Sequence, residues 1–184
     1  VAFFRALRRV GPTRHLSVRA HSSPRRWERD GALVTTLRNN ALVLAYLAGV
    51  VLIYTAYGTL DLAAVAAAIR PEPAAWTALA LMTAGLLFKT ALFPLHFWLP
   101  PAHANAPAPV SAALSALVVK AAFYLVLRLW LDLFAPVVTS AAANLLGLLG
   151  AAAVLWGSWQ ALRAERLKLV AAYSTVAQIG YLFL

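Results

Sequence analysis

The chain has 184 residues, 62% of them hydrophobic and 12% charged, with a net charge of +10 and no cysteine. A soluble sphere of this size needs more polar cover, so a water-soluble globular enzyme and a disordered chain are both excluded. Without Cys there is no disulfide framework, thiolate zinc site or Cys-bound iron–sulfur cluster.

Nine of the sixteen basic residues fall in residues 1–38, and the remaining residues carry seven basic and four acidic side chains. A basic polar head of 1–38 therefore precedes an apolar body of 39–184. The head reads as a poorly ordered segment kept on the cytoplasmic side. Its opening stretch, VAFFRALRRVGPTRHLSVRAHSS, is Arg-rich and free of acids, which is also the composition of a mitochondrial transit peptide.

A helix crosses about 30 Å of hydrocarbon with about 20 mostly apolar residues. Four stretches qualify: 40–58, 74–100 with a break at Pro94, 109–133 and 138–162. A fifth, 169–184, reads as a helix that continues beyond the chain. Between the first two, 59–69 is too short to cross and suits an interfacial helix closed by Arg70, Pro71 and Pro73. The loop 101–109, PAHANAPAP, is expected to be irregular. The fold class is all-α, a polytopic transmembrane helix bundle with one broken helix. Residues 1–38 and the basic run 163–168 are separated by four crossings, so both fall on one side, and the positive-inside rule makes that side the cytoplasm.

Lys89 and Lys120 stand out. Lys120 is about 16 Å into its helix, and Lys89 is central if its helix continues past Pro94. Placing an ionisable group at that depth costs at least ~2.5–3.5 kcal/mol. Burial favours the neutral amine, so such a lysine can release and regain a proton near neutral pH. The competing reading is a side chain that snorkels to the headgroups. Pro94 has no N–H, so the carbonyl of Thr90 is expected to lose its helical partner, and the freed carbonyls carry partial negative charge beside Lys89. A simple proline kink is the plainer alternative. His96 and His103 flank the break, and the imidazole, whose ordinary pKa lies near 6.5, is a side chain suited to passing protons between water and the lysines. For His103 an ordinary surface role competes. Two His without Cys or a nearby carboxylate are too few for zinc. Trp76, Trp98, Trp130 and Trp156 fit interfacial anchoring. Ser111, Ala112, Ser115 and Ala116 permit close helix packing, and Arg128 with Asp132 reads as a local i,i+4 ion pair.

The stretch GLLFKTALFPLHFWLPPAHANAPAPVSAALSALVVKAAFYLVLRL (85–129) resembles the signature of the antiporter-like membrane subunits. These subunits occur in respiratory complex I, membrane-bound hydrogenases and Mrp-type Na+/H+ antiporters. RLKLVAAYSTVAQIGYLFL (166–184) resembles the same family's next marker. The resemblance implies that Lys89 matches the buried lysine of a broken helix and Lys120 the connecting lysine that hands the proton on. His96 and His103 match histidines of the motif. Lys120 with its surroundings resembles the Mrp D-subunit-like or hydrogenase-like branch. Pro101 departs from the family, which usually has an acidic residue there. The family's buried glutamate belongs to a helix before residue 40, where this chain has only Glu28 and Asp30 in polar sequence. The later helices of the family are also missing, so the chain reads as the middle of a longer protein.

The expected function is a proton-translocating subunit of a complex of NADH:quinone oxidoreductase or Mrp antiporter type. It would have no redox centre, cofactor or metal of its own, and would be an enzyme at most as part of a translocase. Expected partners are other membrane subunits, the lipid bilayer and protons, with sodium left open. The expected location is the bacterial inner membrane, with the mitochondrial inner membrane as the alternative. Two rival readings are a non-conducting assembly element of such a complex and a solute transporter holding an anion at the broken helix. Nucleic acid is set aside, for the basic head has no reading motif.

Overall fold

Lipid offers no partner to a backbone N–H or C=O, so a chain this apolar must satisfy its backbone internally, and helices do that within each segment. The computed structural model of the protein describes residues 32–184, with side chains from residue 40 onward, and among them there is no strand. The expectation for 1–38 lies, up to residue 31, outside the described residues.

Helix α1 runs from Ala32 to Tyr57 and ends where Gly58, at φ 71°, donates its N–H to the Tyr54 carbonyl. That left-handed conformation suits a residue without Cβ. The short helix α2, Leu62–Ala68, starts at an Asp61 cap whose carboxylate accepts the Ala64 N–H at 2.8 Å. Helix α3, Pro73–Thr90, opens on a proline in its first turn, where no N–H is missed. The Tyr57 hydroxyl donates to the Glu72 carboxylate, tying the end of α1 to the start of α3.

The first half of the broken helix ends at Thr90, four residues before Pro94. A residue preceding proline is pushed out of the helical region, so the stop falls upstream of the ring. Pro94 instead opens a 3-10 turn, Leu95–Trp98, that runs into helix α4, Leu99–Asn105. The loop expected over 101–109 is therefore mostly helical. Pro100 and Pro101 fall in the first turn of α4, where helices tolerate proline. Only Ala106 and Pro107 remain between α4 and helix α5, Ala108–Leu133, which contains π-turns at Leu114–Val118 and Leu129–Leu133. Helix α6, Ser140–Arg163, is capped by Thr139, whose hydroxyl accepts the Ala142 N–H, and helix α7 spans Leu167–Leu182.

Among the described residues, three helical stretches are long and apolar enough to cross a membrane: Asn40–Tyr57, Ala108–Leu133 and Ser140–Arg163. The bent pair Pro73–Thr90 and Leu95–Asn105, at 40°, supplies a fourth if taken as one span. The protein is thus an all-α, polytopic helix bundle with one broken helix.

Two apolar clusters hold residues 38–184 together as one unit. One joins α1, α2, α3 and the end of α5 around Ile53, Val65, Met82, Val126 and the fully buried Phe134. The other packs the break, through Leu92 and Leu99, against Val119, Ala153, Val176 and Ile179. Between helices in lipid, close fit replaces the hydrophobic effect as the driving force, which favours small residues at the contacts. A Cβ on Gly180 would lie 2.5 Å from the Gly150 carbonyl oxygen, so α6 and α7 touch backbone to backbone there. Gly85 brings α3 as close to α1, where a Cβ would meet the Leu42 carbonyl oxygen at 2.6 Å.

At one end of the bundle Lys168 Nζ donates to the Ala106 carbonyl at 2.7 Å, joining the basic run to the turn after α4. At the other end α2 packs against Leu129–Leu133.

Candidate functional site

The site is built around the break. Ala91 adopts a left-handed conformation, φ 57°, although it carries a Cβ, and it is fully buried. Its N–H goes to the Phe88 carbonyl at 3.1 Å, and the Leu92 N–H to the Leu87 carbonyl at 3.2 Å. This pair is the Schellman closure of a helix end. Thr90 Oγ1 adds a bond to the Leu87 carbonyl at 2.9 Å, and Trp98 Nε1 crosses from the 3-10 turn to the Phe88 carbonyl at 2.7 Å. The carbonyls of Leu87 and Phe88 are therefore satisfied by the residues that close and follow the helix end. Trp98, read from the sequence as an interfacial anchor, spends its N–H inside the protein. Trp130 does the same, donating to Thr83 Oγ1 at 2.9 Å.

Lys89 lies in the last turn of α3, next to the partial negative charge of these carbonyls. It lines a groove of about 580 Å³ between α1, α3 and α5, with Val43, Tyr46, Gly85, Leu86, Leu117 and Ala121. Lys120 stands on α5, two residues past its first π-turn, beside the buried Val119. Both lysines are exposed on the surface of this chain. His96 stacks on Phe93 with ring centroids 5.5 Å apart and meets the edge of Trp156 at 6.3 Å. His103, in contrast, is buried at 1% exposure, and its Nδ1 lies 2.6 Å from Ser111 Oγ. Among the described residues, no hydrogen bond or ion pair joins any two of Lys89, Lys120, His96 and His103, and no three His, Cys, Asp or Glu side chains cluster as a metal site would require.

Sequence reasoning placed Ser111 and Ser115 only as small packing residues and passed over Thr175. In the structure Ser115 Oγ lies 2.9 Å from Thr175 Oγ1, which is buried and donates to the Ala171 carbonyl at 2.8 Å. The signal available was the spacing of two serines four apart on a helix that also carries Lys120. Arg128 and Asp132 form the expected i,i+4 pair at 2.7 Å; each is more than half exposed, and such a pair contributes under about 1 kcal/mol.

Among the described residues, the mark of this fold is a helix pair bent at a break, closed by its own following segment and carrying a lysine in the last turn before it. Residues 22–184 match the family model described as NADH:quinone oxidoreductase/Mrp antiporter, TM, and the chain belongs to that family. It is 38% identical over 161 residues to NADH-quinone oxidoreductase subunit N of Desulforudis audaxviator (strain MP104C), covering 83% of this chain and 32% of that protein. It is 41% identical over 158 residues to a probable K(+)/H(+) antiporter subunit of Rhizobium meliloti (strain 1021), covering 83% of this chain and 15% of that protein. Among solved structures it resembles a chain of the membrane-bound sulfane sulfur reductase, an archaeal respiratory membrane complex, with TM-score 0.73, 35% identity, and coverage of 83% of this chain and 32% of that one. A chain of the Mrp complex from Dietzia sp. DQ12-45-1b gives TM-score 0.70, 30% identity, and coverage of 85% and 29%. The chain thus spans about a third or less of these relatives. The matches fall in both the complex I-like and the Mrp antiporter branches of the family.

Proposed function

We propose that the full-length protein containing these residues moves protons across the membrane as one subunit of such a complex, through Lys89 and Lys120. The single observation that carries this reading is Lys89 in the last turn of a helix that stops inside the bundle, facing the groove between α1, α3 and α5. A cation there is favoured by the helix end, and the groove gives it room to exchange a proton with water. The relatives extend well beyond the matched region, and this reading requires a further segment or a partner subunit to cover the lysine-bearing surface. The family resemblance supplies a carboxylate partner from there. Lys120 receives the proton from Lys89 across water. Sodium or potassium exchange and redox coupling would belong to partner subunits. We place the protein in the bacterial inner membrane, and the basic run 163–168 supports a cytoplasmic position for that end of the bundle.

The test is proton flux into vesicles holding the full-length protein assembled with its partners. Lys89→Ala and Lys120→Ala are each expected to lower the flux by at least about tenfold. Flux unchanged by both substitutions refutes the relay. The exposure of both lysines on this chain favours a second reading, a non-conducting assembly role. That reading expects background flux from the unsubstituted complex while assembly depends on the protein.

A further inference from the structure

A second groove, of about 430 Å³, opens at the end of the bundle where α2 packs on α5. Ala63 and Ala66 of α2, Tyr46 of α1, Met82 of α3 and Leu125 of α5 line it. At 1.5 Å per residue, Tyr46 lies about 17 Å, Met82 about 14 Å and Leu125 about 12 Å along its helix from this end. The groove therefore reaches to about the middle of a hydrocarbon core about 30 Å thick, the depth of one leaflet. Its charged lining residues are Arg128 and Asp132. With 26 residues α5 is longer than that core requires, so its last two turns, which carry this pair, reach the headgroups. Arg128 Nε donates to Asp132 Oδ2 at 2.7 Å. The other donors of the guanidinium fork and Asp132 Oδ1 have no partner among the described residues. A pair this exposed adds little stability, and charges on a helix in lipid are costly. Asp132 also lies in the π-turn Leu129–Leu133, and such turns within α-helices are frequent at functional sites.

We propose that this groove binds one phospholipid with an ethanolamine headgroup, its tail between α1, α2, α3 and α5 and its head on Arg128 and Asp132. The charge balance selects the head. One positive and one negative group side by side match a zwitterion, whereas a purely anionic head would meet the Asp132 carboxylate. The free N–H groups of Arg128 take the phosphate, whose oxygens fit the guanidinium fork. Asp132 Oδ1 accepts an N–H from the primary ammonium. A trimethylammonium head has no N–H to give, so choline lipids lose that bond. The tail supplies the van der Waals contacts that an empty hollow between helices lacks. No lysine takes part, so the inference stands or falls independently of the proton-moving reading.

The experiment uses the full-length protein assembled with its partners in phosphatidylcholine vesicles. The probe is a trace of phosphatidylethanolamine with a photoreactive group in one acyl tail, and the crosslinked residues are mapped. Labelling is expected within residues 62–66 and 125–133. Unlabelled phosphatidylethanolamine is expected to compete at least about tenfold better than phosphatidylglycerol or further phosphatidylcholine, the difference of one charge-assisted hydrogen bond. Arg128→Gln and Asp132→Asn each change an exposed side chain while keeping its size, and each is expected to lower this labelling by about tenfold. Ala63→Trp, which fills the groove from α2, is expected to do the same. Equal competition by the three lipids overturns the site, for it describes ordinary contact with bulk lipid. Parent-level labelling in Arg128→Gln and Asp132→Asn overturns it too. Labelling confined to other segments overturns it as well and assigns the groove to protein, a further segment of the chain or a partner subunit.

Discussion

Trp98 decides how the break is tolerated. A helix ending inside a membrane leaves carbonyls that water cannot reach, and the indole N–H closes the Phe88 carbonyl at 2.7 Å from ten residues away. Trp98→Phe keeps an aromatic ring and removes the donor. It is expected to cost about 1 kcal/mol, the net worth of one such bond, and to lower the apparent thermal midpoint of the detergent-solubilised full-length protein. An unchanged midpoint would mean that the Ala91 N–H alone satisfies this carbonyl. At the same scale, His96 and His103 are alike on paper and differ in three dimensions. The first lies among Phe93 and Trp156, and the second is clamped by Ser111. Read from the sequence, His103 alone had a surface role as its alternative; the structure buries it against Ser111, 8 residues away, and sets His96 against Trp156, 60 residues away.

Elements were legible where hydrophobic length alone decides them. The crossings at 40–58, 109–133 and 138–162 correspond to α1, α5 and α6 within a few residues at each end, apart from the start of α1 at Ala32. The broken helix was legible from its proline, and its stop was not, because Ala91 is an ordinary residue that the surrounding packing holds in a left-handed conformation. Such a residue stores about 1–3 kcal/mol, which the closure bonds and burial of the segment must offset. The prolines of α4 misled in the other direction: they mark the first turn of a helix as readily as a loop. Helix contacts were invisible until the glycines were placed. Gly180→Ala puts a methyl 2.5 Å from the Gly150 carbonyl oxygen and is expected to cost about 1–3 kcal/mol by overpacking. Gly147→Ala on the same helix pair meets nothing closer than 3.8 Å and should be neutral or stabilising by up to about 1 kcal/mol. Thermal unfolding of the two variants side by side tests the assignment of the contact, and equal midpoints would refute it.

At the scale of the molecule, the Lys168–Ala106 bond and the packing of α2 on the end of α5 sort the connections into two ends. The chain contains no cysteine, so single cysteines report on each end cleanly. Pro107→Cys and Ala164→Cys are expected to react with a membrane-impermeant thiol reagent from one side of oriented vesicles, and Thr59→Cys and Ala135→Cys from the other. Labelling of 107 and 164 from opposite sides would break the topology.

Composition and hydropathy length by themselves pointed to the medium and determined the helical class, because a lipid core about 30 Å thick admits few other answers; of the four crossings expected, three are single long helices among the described residues and the fourth is the bent pair. The order of residues 85–129 fixed the family. Which polar side chains meet was left to the tertiary structure, since His103 with Ser111, Ser115 with Thr175, and Trp98 with Phe88 depend on how a break, a π-turn and three glycines bring separate helices together. A hydrogen bond between distant segments is a property of that packing, and no local pattern in the chain encodes it.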